Sequence, residues 1–188
     1  MKDARQQKTR RGESGQSFVE LSLVLIIMTG LVFGMVDFCR AIFMRQVITN
    51  LTREAANLAA RGTGVTTLDI MSNAVDTIVG SASPLNLTTT NALFVLTAVT
   101  NNNSGGAGST FIRYQIVTGT LAATNAVGRG VGSAAKLPLV TPALSQPRHT
   151  VYIAEIYYKY YPITPVGKWF SPSSKPFIIR DAAYFPGG

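Results

Sequence analysis

The run FVELSLVLIIMTGLVFGMV, Phe18 to Val36, constrains this chain more than any other feature. Wound as a helix it is apolar on every side, which argues for lipid rather than the one-faced core of a small domain. Its length suits a hydrocarbon layer about 30 Å thick. Glu20 is the one ionised residue inside it. Lys2, Arg5, Lys8, Arg10 and Arg11 precede the run, and Asp37 and Arg40 follow it. The stronger positive cluster comes first, so the leader is expected in the cytoplasm and the C-terminal part outside. A secretory signal peptide would have a shorter apolar core and a small-x-small cleavage site, and Val36-Asp37-Phe38-Cys39-Arg40 offers no such site. The expectation is a single pass over about residues 18–39. Gly30 and Gly34 form a small-x-x-x-small pair that would let another helix come close. Simple tolerance of glycine in lipid accounts for the pair equally well.

The helical pattern continues past the membrane. Met44, Val47, Ile48, Leu51, Ala55, Leu58 and Ala59 recur at helical spacing, with Arg45, Arg53 and Arg61 mostly off that stripe. Gly62 and Gly64 supply a stop. One helix over about 16–61 is predicted, on the order of 70 Å long. Thr66-Thr67-Leu68-Asp69 reads as a capping box for a second helix, with Leu68, Met71, Ala74, Val75, Ile78 and Val79 on its apolar side. The period then changes to that of strands over 92–99, 111–117, 151–161 and 176–184. A polar loop over 100–110 suggests a hairpin tip, and 119–147 reads as a long irregular loop. In the third strand Tyr152, Ala154, Ile156, Tyr158 and Tyr160 should face the helix. Val151, Ile153, Glu155, Tyr157, Lys159 and Tyr161 should be partly wet. The fold class is α+β: a long N-terminal helix, transmembrane in its first half and amphipathic in its second, packed on a small antiparallel sheet.

Function classes can be excluded on composition and context. The net charge is +8, but the cations outside the leader are scattered, and phosphate tracking needs them clustered, so no nucleic acid is expected. Charged residues are only 14% of the chain, against roughly a quarter in soluble domains, as suits a protein partly in lipid. The single cysteine, Cys39, rules out a disulfide framework and a cysteine zinc site, and reads as a buried small hydrophobe at the outer membrane edge. His149 is the only histidine, and no nucleophile elbow accompanies it. Gly128-Arg129-Gly130-Val131-Gly132 lacks the Lys-Ser/Thr of a phosphate loop and reads as flexible loop. No enzyme activity, cofactor or metal is expected. Tyr157, Tyr161 and Trp169 are candidates for a contact surface, with sheet packing the equally good alternative.

The leader adds a resemblance. Gly15-Gln16-Ser17-Phe18-Val19-Glu20 resembles a prepilin cleavage motif, in which the cut follows a glycine and a glutamate is fifth in the mature chain. Arg11 to Leu21 as a whole, Asp37-Phe38-Cys39-Arg40 and Glu54 to Arg61 resemble the TadE-like minor pilins, or pseudopilins, of the tight adherence (Tad) pilus. Val151 to Tyr161 followed by Pro162 is similar to an aromatic strand of that family. Leu21 departs from the pattern, which often has an aromatic there, and Gly12 is a second glycine at which a cut could be drawn.

The resemblance implies a pilin-like fold with a leader over 1–15, a long helix over 16–61 and an extracytoplasmic domain over 62–188. It implies cleavage between Gly15 and Gln16, and a register role in assembly for Glu20. It also implies a prepilin peptidase, other minor and major pilins and an inner-membrane assembly platform as partners, besides membrane lipid. The setting would be the bacterial inner membrane, or the extracellular pilus. The alternative is a signal-anchored surface protein whose exported domain binds a ligand without assembling.

Overall fold

The computed structural model describes residues 3–62, 64, 66–101, 110–136, 149–170 and 176–187. The element order is α1 (Asp3–Arg61), α2 (Thr67–Ser81), β1 (Ala92–Asn101), β2 (Thr110–Thr118), β3 (Thr150–Tyr160), α3 (Pro165–Phe170) and β4 (Phe177–Pro186). The chain divides into two compact units. One comprises Met1–Arg40 with Tyr161–Lys175, the other Ala41–Tyr160 with Pro176–Gly188.

Helix α1 begins at Asp3, well ahead of the expected start near Gln16. The leader residues Ala4, Arg5, Gln6, Gln7, Lys8, Arg10, Arg11 and Glu13 are good helix formers with no proline among them, so nothing breaks the backbone ladder there.

In the second unit the distal part of α1 meets the sheet. Ile48, Leu51, Thr52, Ala55, Ala56 and Ala59 are buried, and their spacing traces one stripe of a helix. Arg45, Arg53 and Arg61 are exposed, as the pattern requires. The three alanines belong to a core that Phe94, Leu96, Ala98, Ala154 and Ile156 complete from the sheet. Thr52 adds a polar tie, its Oγ1 lying 3.0 Å from Asp181 Oδ2 on β4. Helix α2 starts at the expected capping box. Thr66 accepts from the Asp69 amide, and the Asp69 carboxylate accepts from the Thr66 amide. Met71, Ala74, Val75 and Ile78 are buried in the same core, while Leu68 at the first turn is exposed.

The sheet is antiparallel in the order β2-β1-β3-β4. Tyr152, Ala154, Ile156 and Tyr160 face the α1 core, with Tyr158 half-buried against it, as the alternation predicts. The other face of β3 differs from expectation. Val151, Ile153, Glu155 and Tyr157 are buried, not wet, while Lys159 stays partly accessible and Tyr161, just past the strand, is exposed as expected. The cover is the segment 119–136. Its Val127 packs with Val99, Ile112, Val151 and Ile153, and its Leu121 packs with Leu93, Val95 and Tyr157.

The glycine-rich run 128–132 is likewise pinned rather than loose. Gly132 donates to the Ile112 carbonyl at 2.7 Å, and Ile112 donates back to Ser133 at 2.9 Å, so the run pairs with the edge of β2. Gln115 holds it from below, donating to the Gly128 carbonyl at 2.9 Å. Gly128, Gly130 and Gly132 all have positive φ, the conformation that lets such a run reverse direction repeatedly. The expected hairpin tip falls largely on 102–109 and the end of the long loop on 137–147, both outside the described residues.

Beneath this cover Glu155, 1% exposed, accepts from the Ala126 amide at 2.8 Å and from the Tyr157 hydroxyl at 3.0 Å. Burial, the neighbouring Glu155 charge and the hydrogen bond to it push the Tyr157 hydroxyl up to about 12 from the ordinary 10.0. Burial also raises Tyr152 and Tyr184. A raised phenol pKa stabilises the fold fully below the unfolded value and loses that contribution as pH climbs through the folded one. The fold should therefore lose stability between pH 10.0 and about 12. Tyr157→Phe should flatten that alkaline loss, read as urea midpoints against pH on the full chain in detergent. Ala59→Leu, which forces bulk between α1 and the sheet, should lower stability at neutral pH by about 1–3 kcal/mol in the same assay.

Candidate functional site

In the first unit α1 presents an unbroken apolar surface. Phe18 is 70% exposed, Ile26 72% and Met35 69%, and the large side chains between them are exposed to a comparable degree. Such a surface is stable only when lipid or another apolar body covers it. The helix from Gly15 to Arg61 is long and apolar enough to cross a membrane, with a mean hydropathy of 2.3 in its most apolar window. Its hydroxyls suit that medium. Ser22 donates to the Phe18 carbonyl at 2.8 Å and Thr29 to the Leu25 carbonyl at 2.8 Å, each one turn back, so neither proton needs water. Among the described residues Glu20 has no such local remedy. It is exposed near the start of the apolar run, where an ionised carboxylate in lipid is costly without a partner. A Cβ added at Gly15, Gly30 or Gly34 would meet nothing within 4 Å, so these glycines relieve no crowding within the chain. Gly30 and Gly34 leave a shallow place on α1 where a second helix could approach.

A polar clip closes the apolar run. Asp37, the first residue after Val36, is 7% exposed although it lies on a helix that is otherwise bare there. Its carboxylate accepts from the Ile163 amide at 3.0 Å, from the Thr164 amide at 3.3 Å and from the Thr164 hydroxyl. These are the amides freed where Pro162-Ile163-Thr164-Pro165 breaks from strand into α3, and proline cannot supply its own. Thr164 also caps α3, accepting from the Gly167 amide at 3.1 Å. Gly167 is required by contact: a Cβ there would overlap Asp37 Oδ2 and Pro162. One aspartate thus fixes a whole turn beside the end of the apolar run.

Two of the three candidate contact aromatics belong to this unit. Trp169 on α3 is 86% exposed and Tyr161 39%. Tyr157 lies in the other unit and is buried under 119–136, its hydroxyl between Glu155 and the Ala126 amide, so it offers no exposed surface. Cys39 is exposed rather than buried. Two residues past Asp37 it stands roughly 200° round the helix, away from the clip. His149 is exposed at the start of β3, as a loop histidine should be. Among the described residues no group of three or more His, Cys, Asp or Glu could hold a metal ion.

The clip was not legible as such. The sequence signals were an aspartate directly after the apolar run and a Pro-x-x-Pro-x-Gly turn far downstream, with nothing local to link them. Asp37→Ala should strand the Ile163 and Thr164 amides and cost about 1–3 kcal/mol locally. Hydrogen exchange should then speed up at Ile163 and Thr164 while the amides of β1 and β3 keep their protection.

No curated protein and no solved structure matches the chain. Against protein families, residues 15–57 match the model of the TadE-like protein family, which overlaps the N-terminal residues that carry the resemblance and does not reach Val151–Pro162.

Proposed function

We propose that the chain is a minor pilin of a Tad-type pilus, anchored in the bacterial inner membrane until it joins or primes the filament. The observation that carries the reading is an overlap. The family match covers 15–57, and within it lies the stretch of α1 whose apolar surface the described residues leave uncovered. A helix of that kind has two covers in a pilin's life: lipid before assembly and neighbouring helices after it.

In this reading the leader stays in the cytoplasm and a prepilin peptidase cuts after Gly15. Gln16 becomes the first residue and Glu20 the fifth. The new α-amino group and the Glu20 carboxylate, on the same or adjacent subunits, then pair in a water-poor bundle. Because an unpaired charge there is heavily penalised, the pair favours one axial register. Gly30 and Gly34 provide the close approach between helices. The sheet with its pinned cover is the exported part, and its buried Glu155 is enclosed by its own chain.

The test is the mass and N-terminal sequence of the protein from the membrane fraction of its native host. A chain beginning at Gln16 is expected. An intact chain beginning at Met1, in cells with an active prepilin peptidase, would overturn the reading in favour of a static anchor carrying a binding domain. Glu20→Ala should still be cut and still fractionate with membranes, yet be lost from sheared pili.

A further inference from the structure

We propose that the turn Pro162–Trp169 is a lipid-interface anchor, with Trp169 seated at headgroup depth on the bilayer that α1 crosses. The inference rests on α1 spanning a membrane. Asp37 follows the apolar run directly, so its depth is fixed at the edge of the hydrocarbon. Whatever Asp37 holds is held at that depth. It holds the amides of Ile163 and Thr164, and Gly167 is packed on its carboxylate. Trp169 follows two residues later.

Three large apolar side chains are bare at this level: Trp169 at 86%, Phe38 at 66% and Ile163 at 56%. Phe38 carries the exposed apolar surface of α1 just past Asp37, and Ile163 and Trp169 belong to the turn that Asp37 holds. That shared depth is the argument for lipid as the occupant. The cover that α1 needs before assembly extends onto the clipped turn. Chemistry agrees with depth. Indole is the side chain most at home between hydrocarbon and headgroup, apolar in its body and able to donate one hydrogen bond outward. Lys168, exposed beside it, suits the phosphate of an anionic lipid. The clip also explains why an aspartate is buried so near lipid: without its acceptors the two amides would face the interface unpaired.

Trp169 is the chain's only tryptophan, so its fluorescence is a single-site reporter. The full chain is reconstituted in vesicles of phosphatidylcholine and phosphatidylglycerol, either plain or brominated near the carboxyl end of the acyl chains. The expected result is blue-shifted emission that loses most of its intensity in the brominated vesicles. Asp37→Ala should shift emission to the red and remove most of that quenching. Emission like that of indole in water, quenched by iodide and indifferent to bromine, would overturn the proposal. Blue-shifted emission indifferent to bromine would overturn it too, placing Trp169 against protein such as a second copy. Alkaline carbonate extraction of the same vesicles separates the two levels of failure. A chain that resists extraction but shows no bromine quenching refutes the anchor alone. A chain that is extracted refutes the membrane span and the anchor together.

Discussion

The dominant constraint on this protein is that the first half of α1 cannot be satisfied by its own chain. Its backbone groups are paired within the helix and its hydroxyls fold back one turn, yet its apolar side chains are left bare along the whole run. A soluble domain avoids such a surface because each bare side chain forgoes about 1.5–3 kcal/mol of burial. Here the deficit is the means of attachment. It commits the helix to lipid or to other helices, and it makes every polar departure from the pattern, Glu20 inside the run and Asp37 at its end, a place where position is specified.

The second half of the same helix solves the opposite problem. Its apolar stripe, Ile48 and Leu51 followed by the small Ala55, Ala56 and Ala59, is buried by its own chain. Against that face the sheet supplies Phe94, Leu96 and Ile156. Against the other face the chain supplies its own lid from segment 119–136, pinned to the edge of β2 and to Glu155. The lid covers the edge of β2 that would otherwise present unpaired amides.

Most of the architecture could be read from periodicity. The long helix, the capping box at Thr66, the four strands and the inward face of β3 all follow from spacing, because each is a local pattern with one physical cause. Three features could not be read this way. The lid was missed because a segment rich in Gly, Ala and Thr carries no period of its own. Its presence was nonetheless implied by β3, whose supposedly wet face holds Val151, Ile153 and Tyr157, too apolar a set for water. The start of α1 at Asp3 was hidden by the charge of the leader, which says where a segment resides rather than what backbone it adopts. The Asp37 clip joins positions more than a hundred residues apart, largely through backbone amides that donate to its carboxylate, and a donating amide leaves no side-chain signature at the far end.

Gly167 has a consequence for how such sequences can change. The space a methyl group would need there is taken by the Asp37 carboxylate. The two positions are therefore not free to drift independently: a side chain at 167 is excluded for as long as 37 is an aspartate, and loss of the aspartate leaves Pro162 as the remaining obstacle. Across related chains this predicts covariation rather than separate conservation, with glycine at the turn travelling together with the acid at the end of the span. A pair of columns far apart in an alignment would then report a contact between the turn and the membrane-proximal helix.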